Sequence, residues 1–417
     1  MFKKVKGFRD IFGKDTFYWQ MVEDRFKSFF SKFGYEEIKI PILERTDLFV
    51  RGIGETTDIV EKEMFTFQDR DGTYLSLRPE GTAPVVRSFI ENKLYEPPSI
   101  RKYYYYGPMF RRERPQKGRF RQFYQVGIEA FGSVSPLLDA EVIYILYSFL
   151  NSFGINEYLR MEINSIGCPE CRPNYREKLV EYLEKYKSDL CKDCNNRLGR
   201  NPLRILDCKV ESCKDIVKDA PLILDYLCND CAGHFEKLKE YLDDFGVEFV
   251  VNPKIVRGLD YYVKTAFEMV TDKLGASSAV GAGGRYDGLI KALGGPDIPG
   301  IGFAIGVDRL VELIKIKQDV EYRLIDCYVI TFDEYVKQAV SLVNLLRNEG
   351  FNVTLGYDLG SIKSEMKKAN RLGAKTVLII GEDEVKNGVI TLKNMDSGEQ
   401  LQVTNDELLN RLKKIIN

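Results

Sequence analysis

The 417 residues contain a single histidine, His234. One imidazole excludes a three-histidine zinc site, an HExxH metalloprotease and a Ser-His-Asp triad elsewhere in the chain. Neither charge sign is in excess: 61 Lys+Arg stand against 62 Asp+Glu, a formal net charge of −1. A uniformly basic nucleic-acid coat is therefore ruled out, and any polyanion site must come from local clustering. No apolar run reaches the ~18 residues needed to span a bilayer. The start, Met1-Phe-Lys-Lys-Val-Lys-Gly, lacks the apolar core of a signal peptide. These absences predict a cytoplasmic protein. Short repeats and low-complexity tracts are missing too. Hydrophobic residues at 44% and charged residues at 29% can bury a core, which excludes disorder as the main state. The length suggests two to four domains.

The apolar spacing of Phe17, Trp19, Met21, Val22, Phe26, Phe29 and Phe30 predicts a helix over 15–33, ended by Gly34. Glu37 to Ile42 reads as a short strand and Thr82 to Ile90 as a helix. The aromatic run from Ile100 to Phe110 and the stretch Gln122 to Phe131 read as two strands around a polar loop, an antiparallel hairpin with a long tip. Residues 136–152 read as a helix. From Cys168 to about Phe245 the texture changes to cysteines and Lys/Glu-rich helical stretches, which reads as an inserted module. Strand-like, glycine-rich sequence returns at Lys254–Val270, Ala279–Leu289 and Ile301–Val307, the last running into a helix from Asp308. After Gln318, apolar strands at 325–332, 351–355 and 376–380 alternate with helical patterns at 334–348 and 361–371, and 405–416 closes the chain. That alternation reads as a small α/β domain.

Five stretches carry candidate chemistry. The loop Arg111 to Arg121 holds six basic residues and one acid in eleven positions. A solvated basic tip is the plain reading, but the strand after it argues otherwise. Side chains alternate faces, so Gln125, Gly127 and Glu129 share one face of 122–131. An amide, a bare glycine and a carboxylate make a poor core and a good floor for a small polar ligand. Arg111 reaches the same floor with a planar fork suited to phosphate. In Arg78-Pro-Glu-Gly-Thr, Glu80 can simply cap the following helix. In Val256-Arg-Gly-Leu-Asp-Tyr-Tyr, Arg257 can reach into a cleft beside paired tyrosines. Gly281-Ala-Gly-Gly-Arg-Tyr-Asp-Gly matches neither a P-loop nor a Rossmann fingerprint; its glycines suggest close passage of another molecule or chain. Gly300-Ile-Gly-Phe-Ala-Ile-Gly-Val-Asp-Arg-Leu sets Arg309 at the start of a helix beside a similar surface.

In this order the stretches resemble the three signature motifs of class II aminoacyl-tRNA synthetases, and more narrowly the histidyl-tRNA synthetase family. The first motif is matched by Gly34-Tyr-Glu-Glu-Ile-Lys-Ile-Pro, the second by Tyr106-Gly-Pro-Met-Phe-Arg-Arg-Glu-Arg-Pro-Gln-Lys-Gly-Arg through Glu129, and the third by Gly302 to Leu310. Arg257-Gly-Leu-Asp-Tyr-Tyr and Gly283-Gly-Arg-Tyr-Asp match its histidine-specific motifs. The last ~95 residues resemble its anticodon-binding domain. The resemblance implies an α+β catalytic core with a mixed, mainly antiparallel sheet over 1–167 and 246–318. It further implies an inserted Cys-rich helical module over 168–245 and a C-terminal α/β anticodon-binding domain over 323–417.

It also implies a histidine–tRNA ligase using ATP with Mg²⁺, a partner tRNA for histidine, and a homodimer through the first motif. Arg111, Arg257 and Arg309 take catalytic roles around the α-phosphate, and Glu113 and Phe123 join them at ATP. Glu80, Gly81, Thr82, Gln125, Gly127, Glu129, Tyr261, Tyr262 and Tyr286 form the histidine pocket. Gln116, Lys117, Arg119 and Arg121 face the tRNA. A catalytically silent paralogue regulating histidine biosynthesis and a sensing module without turnover are the alternatives. The retained Arg111, Arg257 and Arg309 and the C-terminal domain weigh against the first.

Cys168, Cys171, Cys191, Cys194, Cys208, Cys213, Cys228 and Cys231 include three CxxC pairs. Eight thiolates suffice for two tetrahedral zinc sites, with His234 able to replace one ligand; reduced structural cysteines are the alternative.

Overall fold

The computed structural model describes residues 2–55, 57–115, 118–275, 278–320 and 322–416. Two compact units divide the chain, Met1–Asp319 and Val320–Asn417. Among the described residues no helix is long and apolar enough to cross a membrane.

The first unit opens with helix α1 (Lys14–Phe30), which buries Tyr18, Trp19, Val22, Phe26 and Phe30 at helical spacing. A tight turn ends it at Gly34, in the left-handed region at φ 76°. There follow β1 (Glu36–Glu37), β2 (Leu43–Arg45), α2 (Thr46–Ile53), β3 (Phe65–Gln68), β4 (Tyr74–Leu77), α3 (Thr82–Glu91), β5 (Arg101–Phe110), β6 (Gln122–Phe131), α4 (Pro136–Asn151) and β7 (Arg160–Ser165). The cysteine-rich stretch folds as α5 (Arg172–Glu184), α6 (Lys192–Leu198), α7 (Glu211–Ile216) and α8 (Asn229–Asp244). The core resumes with β8 (Phe249–Val251), β9 (Val263–Thr271), β10 (Ser278–Arg285), α9 (Leu289–Ala292), β11 (Gly300–Gly306) and α10 (Val307–Lys317).

One eight-stranded sheet runs β1-β5-β6-β11-β10-β9-β7-β8. It is antiparallel except for the end pairs β1/β5 and β7/β8. A second sheet, β2-β4-β3, is antiparallel. Val126, Ile128 and Ala130 on one face of β6 are fully buried, so the other face is left for chemistry. The insert has a core of its own, built on Tyr175, Leu179, Leu183, Ile205 and Cys213.

Some expected strands are shorter. Of the strand expected over 37–42 only Glu37 is in a strand, paired with Tyr104 in the two-residue β1. Beyond it, the carbonyls of Ile40 and Pro41 are taken by Arg78 Nη1 at 2.7 and 3.2 Å instead of by a strand. The strand expected from Lys254 starts at Val263, because 254–262 form turns around Arg257 and Gly258.

The second unit holds β12 (Cys327–Thr331), α11 (Val336–Asn348), β13 (Val353–Leu355), α12 (Ile362–Arg371), β14 (Thr376–Ile380), α13 (Glu382–Asn387), β15 (Ile390–Asn394), β16 (Gln400–Val403) and α14 (Asn405–Ile416). Its sheet runs β13-β12-β14-β15-β16, parallel over the first three strands and antiparallel at the end. The hairpin β15–β16 had no counterpart in the sequence reading.

Candidate active site

Register builds the site floor. Residues directly opposite in neighbouring strands share a face. Gly127 of β6 lies opposite Ala304, Ala304 opposite Ala282, and Ala282 opposite Glu268. One step along, Glu129 lies opposite Gly302, Gly302 opposite Gly284, and Gly284 opposite Ala266. Four strands therefore present a tray of glycine and alanine edged by carboxylates. A methyl at Gly302 would stand 2.0 Å from Glu129 Oε2, and one at Gly127 would stand 2.5 Å from the Tyr105 ring. Only glycine leaves room at either position.

At one end of the tray Glu129 is 1% exposed. Thr82 Oγ1 donates to its Oε1 at 2.7 Å, and the Tyr286 hydroxyl donates to its Oε2. Burial pushes the Glu129 carboxyl up to about 8; the two hydroxyls and nearby Glu80 modify that rise. Glu80 accepts the backbone N–H groups of Thr82 and Ala83 at 2.6 and 2.8 Å. It thus caps α3, as the plain reading of that motif has it, and burial raises its carboxyl as well. The Tyr261, Tyr262 and Tyr286 rings pack against one another, with centroids 4.6 to 6.4 Å apart. Among the described residues, the buried Tyr105 and Tyr261 hydroxyls and Gln125 Oε1 have no hydrogen-bond partner. Orphaned polar atoms converging on one open tray are what a polar ligand would satisfy.

The guanidinium groups lie toward the other end. Arg111 follows β5, with Nε on the Pro79 carbonyl at 2.8 Å and its charge 5.3 Å above the Phe123 ring. Arg257 pairs with Glu268 and lies 4.9 Å over the Tyr262 ring. Arg309 opens α10 and donates to the Ala279 carbonyl. Burial, then neighbouring Arg119 and Arg111, hold its guanidinium below the ordinary value. Cations gathered this closely mark a place for a polyanion. Glu113 lies 3.8 Å from Arg111 and 3.3 Å from Arg119. Arg121 Nε approaches the Glu113 carbonyl at 3.4 Å. Gln116 and Lys117 lie outside the described residues.

Tyr105, Glu268 and Asp139 escaped the sequence reading, and Arg78 was quoted there without a role. Tyr105 covers Gly127, and Glu268 anchors Arg257. Arg78 joins the first two motifs, reaching Ile40 and also the Pro108 carbonyl at 2.9 Å. Asp139, fully buried, accepts from Arg285, from Thr265 at 2.6 Å and contacts His234 at 2.9 Å. Although burial opposes its charge, His234 and Arg285 hold Asp139 below the ordinary carboxylate range. His234 therefore belongs to this buried network, and its suggested place among the thiol ligands is corrected.

The eight insert cysteines gather into two sets, Cys168/Cys171/Cys228/Cys231 and Cys191/Cys194/Cys208/Cys213, each with its sulfurs within 4.8 Å of one another. Cys168 Sγ is 3.6 Å from Cys171 Sγ and 3.9 Å from Cys228 Sγ; Cys191 Sγ is 3.9 Å from Cys208 Sγ. A tetrahedron with metal–sulfur bonds of ~2.3 Å has edges of about 3.8 Å. Backbone N–H groups of Cys228 and Cys191 point at Cys171 and Cys213 sulfurs at 3.1 and 3.2 Å, which favours thiolates.

Comparison with known proteins places this geometry. The histidyl-tRNA synthetase family model matches residues 7–310, and an anticodon-binding-domain model matches 326–415. The histidine–tRNA ligase of Halothermothrix orenii is 50% identical over 418 residues, covering 99% of both chains. The crystal structure of apo Staphylococcus aureus histidyl-tRNA synthetase superposes with a TM-score of 0.81 at 37% identity, covering 99% of this chain and 100% of that one. A Bacillus halodurans protein described as an ATP phosphoribosyltransferase regulatory subunit/histidyl-tRNA synthetase shares the fold, with a TM-score of 0.66 at 21% identity over 92% of this chain and 99% of its own.

Proposed function

The chain belongs to the histidyl-tRNA synthetase family, and from that premise we propose how its residues divide the work. The activity is that of a histidine–tRNA ligase: histidine is activated by ATP to histidyl-adenylate and passed to the 3′ end of its tRNA. The histidine carboxylate is already ionised at neutral pH, so it attacks the α-phosphorus without a side-chain base. Its oxygen–phosphorus bond forms as the bond to pyrophosphate breaks. Catalysis then rests on positioning and on stabilising the charge that builds on the α-phosphate oxygens.

Arg111 and Arg257 hold those oxygens from two sides, and Arg309 holds the ATP tail. Phe123 and Arg309 sandwich adenine, with Glu113 beside them. Mg²⁺ would accompany ATP and supply positive charge to its phosphates. Glu129 and Tyr286, with Tyr262, take the imidazole; Glu80, Thr82 and Gln125 take the α-ammonium; Gly81, Gly127 and Tyr261 shape the space between. Arg119 and Arg121, with Gln116 and Lys117, meet the acceptor end of the tRNA, and the C-terminal unit reads the anticodon. The first motif forms a homodimer interface; exposed Ile42 and Leu43, which follow it, and Phe67 and Tyr74 on the adjoining small sheet support self-association. Zinc at the two cysteine sets completes the reading, supported by their sulfur spacing.

The observation that carries this assignment is the pair of adjacent opposite-strand rows, one from Glu129 to Ala266 and one from Gly127 to Glu268, which pairs with Arg257. Histidine-dependent exchange of labelled pyrophosphate into ATP tests it. Well-folded protein without exchange would return the chain to the silent-paralogue or sensor reading.

A further inference from the structure

We propose that the two metal sites do unequal work: the ion at Cys168, Cys171, Cys228 and Cys231 positions the histidine pocket, while the other ion only holds the outer insert. This rests on the zinc reading above. The first set closes the insert at its neck. Cys168 and Cys171 follow β7, and Cys228 and Cys231 open α8. The two halves are far apart in sequence, and their sulfur contacts tie them together.

Both halves grip the segment that carries Tyr262. From the first half, the Gly167 carbonyl accepts from Lys264 N at 2.9 Å, and Ile166 N donates to the Lys264 carbonyl at 2.7 Å. Arg172, next to Cys171, bridges the Ile166 carbonyl at 3.2 Å and the Tyr262 carbonyl. From the second half, Asp230 accepts from Lys264 Nζ at 2.6 Å. Lys264 has φ 51°, a conformation that residues with a Cβ seldom adopt, so outside contacts must hold it. A cleft of about 470 Å³ lined by Tyr261, Val263, Lys264 and Cys168 borders the segment, while Tyr262 itself lies in the core and Val263 pairs with Arg285. The neck therefore holds the backbone on either side of Val263 and, together with the core, sets where Tyr262 stands relative to Arg257 and the other pocket tyrosines.

The second set has looser ties. Its helix α6 and the turn after it meet the core through Arg197–Asp58 at 3.1 Å and Arg200–Glu61 at 3.2 Å, part-exposed pairs weakened by solvent. It approaches the pocket segment through Asn201 on Asp260 at 3.3 Å and through Val256, which packs on the edge of its core, and Arg204 adds a contact to Asp58 at 3.6 Å.

The test uses full-length enzyme purified without chelator, with zinc counted per chain by mass spectrometry. Two zincs are expected in the wild type and one in Cys228→Ser and in Cys194→Ser. In pyrophosphate exchange Cys228→Ser raises the histidine KM at least tenfold, calorimetric histidine binding weakens in parallel, and kcat and the ATP KM move less than threefold. Cys228→His, which keeps a ligand, restores two zincs and the histidine KM. Cys194→Ser moves the histidine KM less than threefold. Arg172→Met keeps two zincs yet raises the histidine KM, and stands in if Cys228→Ser does not fold. An unchanged histidine KM in Cys228→Ser or Arg172→Met overturns the proposal, as does an equal rise in Cys194→Ser. Folded, metal-free wild type overturns the zinc reading instead, and loss of exchange in zinc-loaded wild type overturns the assigned chemistry.

Discussion

Replacing Glu129 by glutamine separates charge from shape at the floor of the pocket. Glutamine matches the protonated carboxyl in size and can still meet Thr82 and Tyr286. The native carboxyl, raised from 4.5 to about 8 by burial, keeps a proton that the unfolded chain has lost over that interval. Stability carried by that proton is full below the ordinary value and is lost as pH rises through about 8. At about 1.36 kcal/mol per pH unit the loss approaches ~5 kcal/mol as an upper bound. With an unfolding entropy of about 2.1 cal/mol/K per residue, the 319-residue unit would shift by about 7 °C. Glu129→Gln lacks this titration, so its Tm should match the wild type at pH 5 and exceed it by several degrees at pH 9. Differential scanning fluorimetry of both proteins across that range reads the crossing. A constant Tm difference from pH 5 to pH 9 would refute the argument and mean that Glu129 is ionised in the free site. The same variant should raise the histidine KM by about 10–100-fold, since the imidazole then meets an amide in place of a carboxyl that can give up its proton as histidine binds.

Arg257→Ala should cut pyrophosphate exchange by at least about 100-fold while calorimetry still detects histidine binding, because the guanidinium acts on the phosphate in the transition state; undiminished exchange removes Arg257 from the mechanism. Gly302→Ala should abolish histidine binding, since its methyl would stand 2.0 Å from Glu129 Oε2; a normal Kd would show that the floor can yield. Asp139→Asn should destabilise the first unit by about 3–5 kcal/mol by leaving buried Arg285 half-paired, measurable by urea unfolding. Arg121→Ala should flatten the dependence of log KM for tRNA on log salt by about one, one phosphate contact's share; an unchanged slope takes Arg121 out of the tRNA contact.

What could be read from sequence was local. The β5–β6 hairpin and α1 announce themselves by uninterrupted aromatic and helical spacing, and the alternation of Gln125, Gly127 and Glu129 assigns them one face without coordinates. Partners across strands are a different matter. Glu268 joins the site only because Ala282 and Ala304 bring it into Gly127's row, and nothing near Glu268 in sequence signals that register. Tyr105 sits in a run of four tyrosines, and only its pairing with Gly127 distinguishes it. Asp139 reads locally as a first-turn helix acid, yet it faces Arg285 from far along the chain. β7 escaped because Arg160–Ser165 mixes charged and polar residues with Met161 and Ile163, although it is central enough to be buried on both faces.

That buried network explains why the chain keeps an ionic group where apolar packing would serve stability as well. Asp139 ties together α4, which carries it, β9 through Thr265, α8 through His234 and the end of β10 through Arg285. The Arg285 guanidinium also reaches the Ser133 carbonyl at 2.8 Å and Asp287 at 2.9 Å, so it is held from several sides. The next residue, Tyr286, donates to Glu129. A single carboxylate thereby sets the direction of the hydroxyl that confronts the pocket acid. Leucine in its place could fill the volume but could not orient four elements at once. The only imidazole in the chain is spent on this scaffold, three hydrogen bonds and one peptide link behind the acid assigned to grip the imidazole of the substrate.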